Sequence, residues 1–195
     1  MSNLICITNR NLCLDFLTQI EKIAKAKPKA IILREQDLSD EEYTNLYLKV
    51  KEITTKYNVP VIINSYYKVA EQLRVKIVHI PLPILKNLSI EQKTKFDIIG
   101  TSCHSVEDAI TATNLGCKYL LAGHIFATDC KREVEPRGLD FLQNITNATS
   151  LPVFAIGGIN EDNYNLTIDN GASGYCIMSG LMQAKNVEKY ISKFK

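Results

Sequence analysis

The feature that most constrains this chain is a rhythm. Eight short apolar runs, rich in β-branched residues, recur along it and are separated by longer stretches of helical period. They fall at 4–8 (LICIT), 30–35 (AIILRE), 60–64 (PVIIN), 76–80 (KIVHI), 96–101 (FDIIGT), 119–125, 151–156 (LPVFAI) and 174–178 (GYCIM). Strands that are apolar throughout suit a parallel sheet covered on both faces by helices. Eight such units close most economically into a barrel, so the expected fold is α/β, a single compact (β/α)8 TIM barrel over residues 1–195. The competing open, doubly wound sheet usually carries Gly-x-Gly-x-x-Gly after its first strand. Here Asn9-Arg10-Asn11 follows instead.

The intervening segments carry helix signals. Phe16, Ile20, Ile23 and Ala24 repeat at helical spacing, and Pro28 ends that stretch. Ser39 with Glu42 three residues on is a capping-box signature for a helix to about Tyr57, with Tyr43, Leu46, Tyr47, Val50 and Ile53 on one face. Val69, Ala70 and Leu73 suggest a short helix, whereas Pro81 and Pro83 are expected to break the segment before Ile90. A helix is expected from Ser105, with Glu107 and Asp108 suiting its N-terminus and Gly116 its C-terminal end.

Composition narrows the class. The 195 residues have a formal net charge of +2, too small to argue for nucleic acid or a membrane surface as partner. A local basic loop is present at Lys131, Arg132 and Arg137. The six cysteines form no Cys-x-x-Cys pair and no zinc spacing, and read as reduced thiols of a cytoplasmic protein. The start lacks a signal-like segment, and no apolar run approaches the roughly 20 residues of a membrane span. Assembly is left open by the sequence; symmetric dimers are the commonest homo-oligomer.

In a barrel of this kind, chemistry sits at the C-terminal ends of the strands. All three histidines lie there, His79, His104 and His124, with Arg10, Arg34, Asn64, Ser102, Thr128, Lys131 and Ser179. Each alone can be a loop or helix cap; their convergence favours a site. His79 reads as a packed core histidine and His104 as structural. His124 follows a glycine and opens a polar loop, which makes it the candidate proton-transfer group, since imidazole titrates near neutral pH. Cys103 and Cys130 read as inert thiols. Gly157-Gly158 after the seventh strand and Ser179-Gly180 after the eighth are the expected phosphate site, built from backbone N–H groups.

These motifs, collinear over nearly the whole chain, resemble the thiamine phosphate synthase/TenI superfamily: Ile-Leu-Arg34-Glu35, Ile-Ile-Asn64, Val-His79, Ile-Gly100-Thr-Ser102-Cys-His104-Ser105, Ala155-Ile-Gly157-Gly158-Ile and Ile-Met-Ser179-Gly. The stretch Gly123-His124-Ile-Phe126-Ala-Thr128-Asp129-Cys130-Lys131, with Arg137-Gly138 following, resembles the thiazole tautomerase branch. The synthase branch typically has Gly-Pro there and a Thr-x-Thr-Lys loop.

The resemblance implies two candidate reactions. The synthase couples a pyrimidine pyrophosphate to a thiazole phosphate and needs Mg2+, bound through oxygens. Its aspartates after strands three and four are replaced by Ser65 and by Pro81-Leu82-Pro83, and the lysine of Arg-Glu-Lys by Gln36. The tautomerase isomerises a carboxythiazole phosphate to its aromatic form and needs neither metal nor cofactor. That is the expected function, with His124 catalytic. Arg34, Asn64, Ser102, Thr128 and Lys131 are the expected substrate contacts, Arg34 before Lys131 for the carboxylate. Gly157, Gly158, Ser179 and Gly180 are expected at the phosphate. The alternatives are the synthase and a non-catalytic protein that binds thiamine intermediates or regulates a partner. Neither a DNA-binding helix pair nor a basic stripe favours nucleic acid. The expected partner is a small phosphorylated thiazole.

Overall fold

A computed structural model describes residues 3–128 and 134–194. In chain order the elements are β1 (Leu4–Ile7), α1 (Phe16–Lys25), β2 (Ala30–Leu33), α2 (Asp40–Thr55), β3 (Val61–Asn64), α3 (Tyr67–Gln72) and β4 (Ile77–His79). Next come α4 (Leu82–Asn87), α5 (Ile90–Lys93), β5 (Ile98–Cys103), α6 (Val106–Asn114), β6 (Tyr119–Gly123) and α7 (Gly138–Ala148). The last are β7 (Val153–Ile156), α8 (Tyr164–Asp169), β8 (Gly174–Ile177), α9 (Ser179–Met182) and α10 (Val187–Ile191). The strands lie in sequence order in a closed barrel, the fold class expected from the alternation. No helix among the described residues is long and apolar enough to cross a membrane.

The described residues fall into two compact units, one running to His79 and resuming at Ile177, the other from Ile80 to Cys176. In the first, β1 to β4 pair in parallel, with Ile5 opposite Ala30, Ile31 opposite Val61 and Asn64 opposite His79. All four residues of each of β1, β2 and β3 are buried, which is why their sequence shows no polar alternation. Helix α1 buries Gln19, Ile20, Ile23 and Ala24. Each of its two isoleucines contributes roughly 1.5–3 kcal/mol relative to exposure. Helix α2 opens with the expected reciprocal capping box of Ser39 and Glu42. Its Tyr43 hydroxyl donates to Leu33 O (2.6 Å) and accepts from Asn64 N (3.2 Å), so a helix side chain ties the ends of β2 and β3.

In the second unit β5 to β8 pair in parallel, with Ser102 opposite Leu121, Gly123 opposite Ile156 and Ala155 opposite Tyr175. Ser105 caps α6 by accepting from Asp108 N (3.1 Å), and Gly116 follows its end at a φ of +86°, both as expected.

Three expectations shift. Pro81 and Pro83 do not break a helix: Pro81 is the N-cap of α4 and Pro83 lies in its first turn, where a missing N–H costs nothing. A second capping box, Ser89 with Gln92, opens α5 and was not anticipated. Strand β5 runs from Ile98 to Cys103, two residues later than its apolar run begins, and β6 ends at Gly123 rather than Ile125.

Candidate active site

At the strand ends of the first unit the dominant feature is a buried carboxylate. Glu35 follows β2 and is 2% exposed. It accepts from Thr8 Oγ1 (2.7 Å), from the Arg10 backbone N–H (3.1 Å to each oxygen) and from Arg10 Nη1 (3.2 Å). Arg10 also makes a two-pronged pair with Asp37 at 2.7 Å per bond. That pairing raises the guanidinium further above its ordinary value and holds the Asp37 carboxyl below its own.

Arg34 lies between these groups in sequence. Its backbone N–H donates to Thr8 Oγ1 (2.9 Å), and its Nη2 donates to Gln36 Oε1 (2.8 Å). Asn64 is buried, and its Oδ1 accepts from Ser65 Oγ (3.1 Å). Opposite it, His79 is buried too, and burial pushes its imidazole down from 6.5 to about 4, so it is neutral. This is the packed core histidine expected. The sequence reading named Arg10 only as a rim residue and missed the Thr8–Glu35 pair. Its signal was present: an acidic residue closing an otherwise apolar run, and a hydroxyl closing the run before it.

In the second unit the strand ends present imidazoles instead. His124, just past β6, is 4% exposed, and its Nε2 lies 3.0 Å from Val134 O. A carbonyl only accepts, so Nε2 carries the proton and Nδ1 is the basic nitrogen. The His124 carbonyl accepts from Arg137 N (2.9 Å), and the Ile125 carbonyl from Gly138 N (3.1 Å), so the loop returns to its start. By the same logic His104, exposed after β5, donates Nδ1–H to Gly123 O (2.8 Å), the carbonyl of the peptide leading into His124. Ser102 is half-buried on β5, and Thr128 half-buried beyond Ala127. Lys131 and Cys130 lie outside the described residues. Cys103 is buried, its thiol pushed up to about 12 by burial, in keeping with an inert role.

The glycines have packing reasons of their own. Gly157 and Gly158 adopt φ of +99° and +66°. A Cβ on Gly157 would run into the Cβ of His124, and one on Gly158 into the carbonyl oxygen of Ala127. Ile125 N donates to Ile156 O (2.9 Å) and Phe126 N to Gly157 O (3.0 Å), which draws the loop after β6 onto the end of β7. Valine at Gly158 would therefore disturb the fold itself: the position admits neither the side chain nor, without strain, its backbone angle. In the first unit a Cβ on Gly180 would meet the Tyr190 hydroxyl, and Ser179 is exposed in the same short helix.

Magnesium, which the synthase resemblance implies, calls for several carboxylate or carbonyl oxygens around one point. Among the described residues no three His, Cys, Asp or Glu side chains are grouped to hold an ion. Glu35 is committed to Thr8 and Arg10, and Asn64 and Ser65 are neutral. This donor set does not fit the metal. A cavity of about 500 Å3 in the second unit lies at the opposite ends of β5 and β6, among Ile90, Phe96, Ile99 and Leu115.

The family model described as thiamine monophosphate synthase (TMP-TENI) matches residues 4–181. The thiamine-phosphate synthase of Clostridium acetobutylicum is 36% identical over 177 residues, covering 89% of this chain and 83% of that protein. That of Caldanaerobacter subterraneus subsp. tengcongensis is 34% identical over 186 residues, covering 91% and 85%. The solved thiamine phosphate pyrophosphorylase from Pyrococcus furiosus superposes with a TM-score of 0.84 at 27% identity, covering 97% of this chain and 92% of that one. The chain belongs to the thiamine monophosphate synthase (TMP-TENI) family.

Proposed function

We propose that the chain is an enzyme of thiamine synthesis acting on a phosphorylated thiazole, and that it isomerises a carboxythiazole phosphate to its aromatic form. The names of the curated relatives support the other reaction of the family, the synthase, better than they support the isomerase. By similarity alone the transferase is the reading to adopt. The isomerase reading rests on this chain's own side chains.

The observation that carries it is His124. Its imidazole is buried at the end of β6, with Nε2–H committed to Val134 O and Nδ1 left basic. Isomerisation removes a proton from one carbon and delivers one to another. Nδ1 of a single neutral imidazole can do both in turn, and no metal is required. Arg34 recognises the substrate carboxylate, aided by Asn64, Ser102 and Thr128. The backbone at Gly157, Gly158, Ser179 and Gly180 holds the phosphate. The synthase reading meets Ser65, Gln36 and Pro81-Leu82-Pro83 where the resemblance calls for magnesium- and pyrophosphate-binding groups.

One preparation separates the two. Purified protein is given either the non-aromatic carboxythiazole phosphate or the pair of pyrimidine pyrophosphate and thiazole phosphate, each with Mg2+ and with chelator. The expected result is isomerisation unaffected by chelator and negligible coupling. Robust Mg2+-dependent coupling would establish the synthase instead. Binding without turnover in either assay would establish a non-catalytic member.

A further inference from the structure

We infer that Glu35 and Thr8 form a positioning pair that sets Arg34 for anion recognition, with Arg10 as the counter-ion of Glu35. The inference rests on the proposed role of Arg34 and goes beyond it by naming what holds that residue in place.

A threonine hydroxyl has one proton to give. In Thr8 it goes to Glu35 Oε1 at 2.7 Å, which turns the oxygen's lone pairs toward the Arg34 N–H, 2.9 Å away. The carboxylate thus directs a hydroxyl, and the hydroxyl fixes the backbone of the residue immediately before the carboxylate. Both hydroxyl bonds span from the end of β1 to the end of β2, so Arg34 is held from the neighbouring strand as well as by its own chain. The side chain of Thr8 is fully buried and Glu35 nearly so, which shields the relay from competing water.

Charge is divided in a way that packing alone does not require. A buried carboxylate is costly unless it is paired, and an apolar residue of the same volume would avoid the cost. Here the pairing goes to Arg10, not to the adjacent Arg34. Arg10 satisfies Glu35 through its backbone N–H and Nη1, and turns its remaining face to Asp37. The guanidinium of Arg34 meets the neutral amide oxygen of Gln36. Two carboxylates therefore compensate Arg10, while the positive charge of Arg34 is oriented by an uncharged acceptor and kept for an incoming anion.

The test uses the full chain with Arg34→Met, Thr8→Val and Thr8→Ser. Calorimetric affinity for the aromatic carboxythiazole phosphate is measured alongside melting temperature. We expect Arg34→Met and Thr8→Val each to weaken binding about tenfold or more, and Thr8→Ser, which keeps the hydroxyl, to stay near the parent protein. A purely structural Thr8 would lower the melting temperature of Thr8→Val and leave the affinity of the folded protein unchanged. That result, with Arg34→Met still weakened, overturns the positioning pair and leaves the role of Arg34 standing. Unchanged affinity in Arg34→Met overturns both. Should Thr8→Val fail to fold, Glu35→Gln replaces it under the same criteria.

Discussion

The strand ends of the first unit and those of the second handle ionisable groups by opposite means. After β1 and β2 a buried carboxylate is surrounded by donors: a hydroxyl, a backbone N–H and a guanidinium. After β5 and β6 two imidazoles are held, among the described residues, by backbone carbonyls, each of which consumes one ring nitrogen. The first arrangement fixes charge; its members gain nothing by exchanging protons. The second fixes a tautomer, which is what a proton-transfer group needs. A fixed charge and a fixed tautomer are thus separated by the chemistry of the hydrogen-bond partners, not by residue type alone.

Substitutions can break this contrast, the largest expected effect first. His124→Gln retains an N–H for Val134 O but removes the basic nitrogen. Turnover in isomerisation should fall about 10²–10⁴-fold with the melting temperature nearly kept. A loss of stability with full turnover per folded molecule would make His124 a loop anchor.

The neutral His79 should show itself in acid. Its folded value, about 4, lies below the ordinary 6.5, so the unfolded chain takes up the proton first. Its contribution to stability is complete above about pH 6.5 and is lost as pH falls toward about 4, ~3 kcal/mol in all. Urea unfolding from neutral to acid pH should therefore be less steeply pH-dependent in His79→Asn than in the parent, and equal slopes would refute it.

Gly158→Val should cost about 2 kcal/mol or more in urea unfolding, from backbone strain and the clash with the loop after β6. A stable variant with only weakened phosphate binding would return this glycine to a purely ligand-binding role. Smallest is Asp37→Asn, at the exposed outer end of the arginine network. It should cost under about 1 kcal/mol, and less in high salt. A larger loss would show that Arg10 depends on Asp37 to hold Glu35.

Periodicity made the eight strands and the helix caps at Ser39 and Ser105 legible, because burial on both faces and capping are local demands with local signatures. The prolines at 81 and 83 misled because the same residue that stops a helix also starts one; only the φ of its surroundings distinguishes the two. The site was half legible. His124 stood out through its neighbours, Gly123 before it and a polar loop after. The Thr8–Glu35–Arg10 network did not, since its members are up to 27 residues apart and become one group only through strand pairing. Gly157 and Gly158 were read for an anion; the close approach of the loop after β6 is a tertiary demand that composition cannot announce.

Gln19 in α1 carries a consequence for how this chain comes off the ribosome. Its buried side-chain amide donates to Leu181 O (2.6 Å) and Ala184 O (3.1 Å). Those acceptors are synthesised more than 160 residues later. Until then one of the first helices made must keep an amide that wants burial in contact with water or a chaperone. The family match ends at residue 181, and a chain cut there would lose the second acceptor. Helix α1 thus reaches its finished hydrogen bonding only once residues 181 to 184 have been made.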